Sequence, residues 1–149
     1  MKFQRTGDWK NVPLILERQL KRVEEAIVFN FLVIGENCVI HARDNGEYKD
    51  QTGNLRNSIG YVIAYNGEIL EWGFKYSSGI SNKGEFLAKY KINEMLAGDT
   101  GYSLIIVAGM SYARDVENRG KNVLSGTEGY LKKEVRAKMK RILSKAGLK

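Results

Sequence analysis

Leu16, Leu20, Val23, Ile27, Phe31, Ile34 and Cys38 follow one another at steps of three or four residues. Only an α-helix brings such positions onto one face. The pattern predicts a long amphipathic helix over about residues 12–43. Asn11 is placed to act as its N-cap, and Pro13 falls in the first turn, where a missing N–H costs nothing. Gly35 is a weak point, because glycine carries the lowest helix propensity after proline. Residues 1–11 before it read as an extended leader.

The period then changes. Ser58–Tyr65 and Glu68–Phe74 are rich in β-formers and are joined by Asn66-Gly67. That dipeptide suits a two-residue type I′ turn, in which both central residues take positive φ, so a β-hairpin is expected. Residues 75–84 read as a polar loop, and Glu85–Ala97 as a helix stopped by Gly98. Tyr102–Met110 is nearly all apolar, consistent with a strand buried on both faces. A turn or short helix begins at Ser111, and Leu131, Val135, Met139, Ile142 and Ala146 form the stripe of a final helix over 127–146. The order predicts an α+β fold. A long N-terminal helix and a C-terminal helix pack on a small, mostly antiparallel sheet, in a single domain spanning 1–149.

Bulk properties narrow the classes. The 149 residues are 43% hydrophobic and 28% charged, with one proline, which is too apolar for a disordered chain. A single cysteine, Cys38, allows no internal disulfide and points to synthesis in a reducing cytoplasm. Residues 1–10 lack the apolar core of a signal peptide, and neither 26–34 nor 104–110 has the length of a membrane span, so no membrane partner is expected. The net charge is +7, but from Glu128 onward eight lysines or arginines stand against two glutamates, so the basicity belongs to the terminal helix.

Few residues suggest chemistry. His41 lies three residues after Cys38 on the same helix, as in half a metal site or a Cys–His dyad, but a closed zinc site needs more ligands than these. Cys38 reads more simply as core and His41 as a helix-end residue. Glu24 with Glu25, or Asp44 with Asp50, stand where solvated helix faces and turns carry charge. Gly98-Asp99-Thr100-Gly101 precedes a strand, whereas a phosphate loop follows one, so these residues read as a turn. No catalytic, cofactor or metal residue is assigned, and the chain is not expected to be an enzyme. Trp9, Trp72, Phe74 and Tyr76 are candidate interface anchors, Trp9 foremost. Lys132, Lys133, Arg136, Lys138, Lys140 and Arg141 could meet nucleic-acid phosphates or an acidic protein neighbour. No aromatic residues are interleaved with them for base stacking.

Thr52-Gly53-Asn54-Leu55-Arg56-Asn57-Ser58-Ile59 resembles the tail-component family of tailed bacteriophages. There a long amphipathic helix is followed by T-G-x-L-R-x-S-I leading into a β-hairpin. Tyr112-Ala113-Arg114-Asp115-Val116-Glu117-Asn118-Arg119-Gly120 is similar to that family's Y-A-x-x-V-E-x-G segment, with one extra residue before Gly120. The resemblance runs from about Leu16 to Leu143, and 75–98 stands out from it as a loop–helix insertion. It implies a virion structural protein, without cofactor, made in the host cytoplasm. Such a neck or tail-completion protein joins head to tail by forming an oligomeric ring at the head–tail junction or tail end, through which DNA passes. Its partners would be further copies of itself and phage neck, connector or tail-tube proteins, with non-specific contact to DNA. Thr52, Gly53, Leu55, Arg56, Ser58, Ile59, Tyr112, Ala113, Val116, Glu117 and Gly120 then become motif and interface residues. Leu55 and Ile59 are expected to point inward, and Arg56 to seek a carboxylate, Glu117, within the chain or across a subunit boundary. The alternative to a virion component is a small basic nucleic-acid-binding module using the terminal helix.

Overall fold

A computed structural model describes residues 11–49, 53–74 and 83–147 of the chain, with side chains from residue 86 onward in the last stretch. Helix α1 runs Val12–Asp44, and a single turn, α2, covers Asn54–Asn57. Strands β1 (Ile59–Tyr65) and β2 (Glu68–Gly73) form the hairpin. Helix α3 (Lys83–Leu96) leads to β3 (Tyr102–Ala108), and α4 (Ala113–Asn118) precedes α5 (Ser125–Lys145). The α+β expectation is met: α1, α5 and a three-stranded antiparallel sheet in the order β2-β1-β3. Trp9, Asp50, Thr52, Tyr76 and most of the leader and of the 75–84 loop lie outside the described residues.

The hairpin forms as the Asn-Gly signal requires, with Asn66 at φ 49° and Gly67 at φ 81°. A bulge at Leu70 interrupts the β1–β2 ladder, since Ile63 faces Glu71 while Ala64 faces Ile69. The apolar run 102–110 becomes an edge strand instead of a central one. It is covered on both faces but half-exposed throughout, because pairing on one side only leaves its outer margin open. The strand buried on both faces is β1, where every residue from Ile59 to Ala64 is buried.

Two cores lie on opposite faces of this sheet. Ile59, Tyr61 and Ile63 pack beneath α1 with Phe31, Val39 and Leu55, and Val135 and Met139 of α5 close that side. Val62 and Ala64 face the other way, against Ala88, Ile92 and Leu96 of α3. Helix α3 is therefore no surface addition: it supplies half of the second core and carries the crossover from β2 to β3. Its stop is a glycine at positive φ, Gly98 at 78°.

Helix α1 departs from the expectation at both halves. Asn11 makes no side-chain cap; its carbonyl accepts from the Ile15 N–H at 3.0 Å. The apolar stripe is buried only from Phe31 onward, while Leu16 and Leu20 stand in solvent, Leu20 at 64% exposure. Gly35 is not a weak point but a crossing point, since α1 passes so near β1 that a Cβ there would clash with Tyr61.

Candidate functional site

The two motif segments meet at one end of the sheet, where β1 begins and β3 ends. Gly53 takes φ 71° and opens α2, which turns Leu55 inward beside Ile59; both are buried, as the spacing implied. Ser58 ties the segments together: its Oγ donates to the Leu55 carbonyl at 2.7 Å and accepts from the Met110 N–H at 3.3 Å. The Gly109 N–H donates to the Ser58 carbonyl at 3.0 Å. Ala113 and Val116 pack against the same core. Leu55, Ser58, Ile59 and Ala113 are thus enclosed within the chain and do not form an interface. Tyr112 and Gly120 lie at the surface, and Gly53, Arg56, Val116 and Glu117 are partly exposed.

Arg56 and Glu117 have separate partners within the chain, so the expected in-chain ion pair is replaced by two backbone anchors. Arg56 Nη1 donates to the Arg43 carbonyl at 2.7 Å, Nη2 donates to the Gly46 carbonyl at 3.3 Å, and the guanidinium lies over the Tyr48 ring at 5.3 Å. Arg43 reciprocates, with Nε donating to the Arg56 carbonyl at 3.0 Å and Nη2 to the Ile59 carbonyl at 2.9 Å. The two arginines pin the end of α1 to α2 and β1 through charge-assisted hydrogen bonds to main-chain carbonyls. Arg43 escaped the sequence reading because nothing in its spacing marks it. Glu117 Oε2 accepts from the backbone N–H groups of Val123 and Leu124 at 2.9 and 2.8 Å, fastening the entry to α5. Burial pushes the Glu117 pKa up, but hydrogen bonds from Ser125, Leu124 and Val123 outweigh it and hold the carboxyl below its usual range.

Cys38 and His41 sit in the seam between α1 and α5. The thiol is fully buried, and its pKa is pushed up to about 11, first by burial and then by the Glu134 carboxylate. A neutral buried thiol is a poor nucleophile, which fits the core reading. His41 Nδ1 shares a 2.9 Å hydrogen bond with Thr127 Oγ1, and its ring stacks on Tyr130 with centroids 5.1 Å apart. Among the described residues, no three histidine, cysteine or acidic side chains converge as metal ligands. The segment 98–101 is a turn: Asp99 accepts from the Thr100 N–H and the Ser103 hydroxyl, and Asn66 Oδ1 from the Gly101 N–H. Of the aromatic candidates, Phe74 is buried and stacks with the half-buried Trp72, so neither is a free anchor.

The cations of α5 do not form one face. Lys138 and Arg141, joined by Lys145 and by Arg22 of α1, border a cleft of about 490 Å³ between the two helices, and among the described residues no acidic side chain lines it. Lys132 and Arg136 border a separate hollow beside β3, and Lys132 also pairs with Glu128 one turn away at 2.5 Å. Lys133 and Lys140 stand exposed on the side away from the packed stripe. Arg22 is the contributor that the composition of the terminal helix could not reveal.

Among the described residues, large apolar side chains remain exposed on several elements. Leu14, Ile15, Leu16 and Leu20 project from the first turns of α1, and Phe86, Tyr90 and Met95 from α3. No helix among the described residues is long and apolar enough to cross a membrane. Compared with protein-family models, with curated proteins and with solved structures, the chain finds no match in any of the three.

Proposed function

We propose that this chain is a non-enzymatic structural protein of a tailed-bacteriophage virion, one copy of an oligomeric ring at the head–tail junction or tail end. The observation that carries the assembly reading is the bare apolar start of α1, where Leu14, Ile15, Leu16 and Leu20 are each more than half exposed. Single exposed leucines need no explanation, but four large apolar side chains exposed within two turns of one helix cost solubility unless another protein covers them. The phage assignment rests on the resemblance of the two motif segments. Motif residues at the base of the sheet build the shared scaffold, leaving α1, α3 and the sheet edges to make contacts.

In this reading the α1–α5 cleft and the remaining cations of α5 face a channel or an acidic neighbour. DNA that slides past must be held weakly and without sequence preference, through phosphates alone. The four-cation cleft also favours the second reading, a small nucleic-acid-binding module. Duplex binding measured at two salt concentrations separates them. The ring reading expects weak binding that collapses with salt. Substituting Lys132, Lys133, Lys138 and Lys140 by Gln should reduce it with folding intact, because exposed charges add little stability. Tight, sequence-selective binding that survives high salt would establish the module instead.

A further inference from the structure

The sheet ends in two unlike edges whose chemistry is complementary. At one edge, Gly101 and Gly109 exchange main-chain bonds with Asn66 and Ser58 of the β1 side. In an antiparallel ladder the alternate residues Tyr102, Leu104, Ile106 and Ala108 therefore turn their N–H and C=O groups outward. Beside this open margin lie hollows of about 500 and 300 Å³, whose shared wall is Leu131. Phe31, Leu104 and Val135 floor the smaller one, with Lys132 and Arg136 at its rim. At the other edge, β2 presents exposed Ile69 and Leu70 between exposed Glu68 and Glu71.

We propose that β2 of one copy docks along the open edge of β3 in the next, so that copies join head to tail. The inference rests on the ring reading and names its joint. Charge supports it. The register sets Glu68 opposite Tyr65 and Glu71 opposite Ile63, so both carboxylates stand on the sheet face that carries α1 and α5. Arg136 and Lys132 project from α5 on that same face at the far edge. Extending the sheet in line brings the cations of one copy beside the carboxylates of the next. Two-fold pairing, β3 on β3 or β2 on β2, would instead set like charges together. β2 and β3 each run antiparallel to β1, so the in-line joint is parallel. The Leu70 bulge keeps its ladder short, so the facing charges on the α1 and α5 side, with Ile69 on the α3 side, supply much of the contact.

Covalent trapping tests this in the full chain, because the native Cys38 is buried and silent. Ile69→Cys is combined in turn with Ser103→Cys, Ile105→Cys and Val107→Cys, all on the α3 face of the sheet. Within one chain β1 separates these strands by about 10 Å, beyond disulfide reach. Oxidation should give a ladder of covalent multimers from at least one double variant, while each single variant gives none. As a second measurement, Glu71→Arg should disperse the assembly and Arg136→Glu should restore it. Covalent dimers from the single variants would overturn the proposal in favour of two-fold pairing. An intact oligomer with neither ladder nor charge effect would overturn it and leave the ring reading standing. A chain that sediments only as a monomer would overturn both.

Discussion

Gly35 of α1 and Tyr61 of β1 approach so closely that a Cβ on the glycine would stand 2.6 Å from the tyrosine Cδ2. The same ring covers Gly73, where a Cβ would lie 2.1 Å from Cε1, and its hydroxyl donates to Glu36 at 3.2 Å. Gly35→Ala sets two effects against each other. Helix propensity gains about 1 kcal/mol, while forcing a methyl group against a buried ring costs about 1–3 kcal/mol. The clash is with a ring buried between helix and sheet, so the expected net is a loss, read as a lower urea midpoint for Gly35→Ala.

The hairpin turn gives a second test. Gly67 combines φ 81° with the Leu96 carbonyl oxygen only 2.9 Å from where a Cβ would sit. Gly98 has a similar φ of 78° but open space around it. Gly67→Val should cost about 1–3 kcal/mol through backbone strain and the added clash, and Gly98→Ala distinctly less. Equal denaturation midpoints for the two variants would mean that the contact with Leu96 is not made.

Glu117 predicts a pH dependence. Its folded pKa lies below the ordinary value, held there by backbone and Ser125 hydrogen bonds against the opposing effect of burial. A depressed carboxylate contributes stability that is complete above the ordinary pKa and is lost as pH falls through the folded value. Glu117→Gln keeps an amide oxygen as acceptor but removes the charge, so it should lower stability by about 1 kcal/mol at neutral pH, the difference between charge-assisted and neutral hydrogen bonds, with the gap to wild type closing in acid. Urea melts at pH 7 and pH 3 check this. Paired with Arg56→Gln, the change should be additive, because the two side chains hold different segments.

Cys38 should not react with a thiol reagent at pH 8 in the native chain. Its pKa near 11 and its complete burial leave almost no accessible thiolate. Labelling should follow the rate and extent of unfolding. Fast stoichiometric labelling of folded protein would remove the assignment of Cys38 to the α1–α5 seam.

What the residues disclosed follows the range of the forces involved. Helix α1, the hairpin and the α+β class were legible because periodicity and the Asn-Gly turn are local signals. The inward placement of Leu55 and Ile59 was legible for the same reason. Strand order was not, since an apolar run such as 102–110 reads alike in a central strand and in a covered edge strand. Arg43, and Arg22 in the cationic cleft, were hidden because their partners lie on other elements. The Arg56–Glu117 pair does not form within the chain because nearby carbonyls and N–H groups offer each charge a nearer partner. The α1 stripe also overstated burial: periodicity reports that a face is apolar, not that this chain alone covers it.

That uncovered face makes the mass of the protein in solution the most direct test. Sedimentation of the purified chain should give a discrete multiple of 16.9 kDa. Replacing Leu16 and Leu20 by Glu should lower that mass while leaving the helical signal unchanged. A single species of 16.9 kDa at every concentration, with or without DNA, would contradict assembly as the working state of this protein.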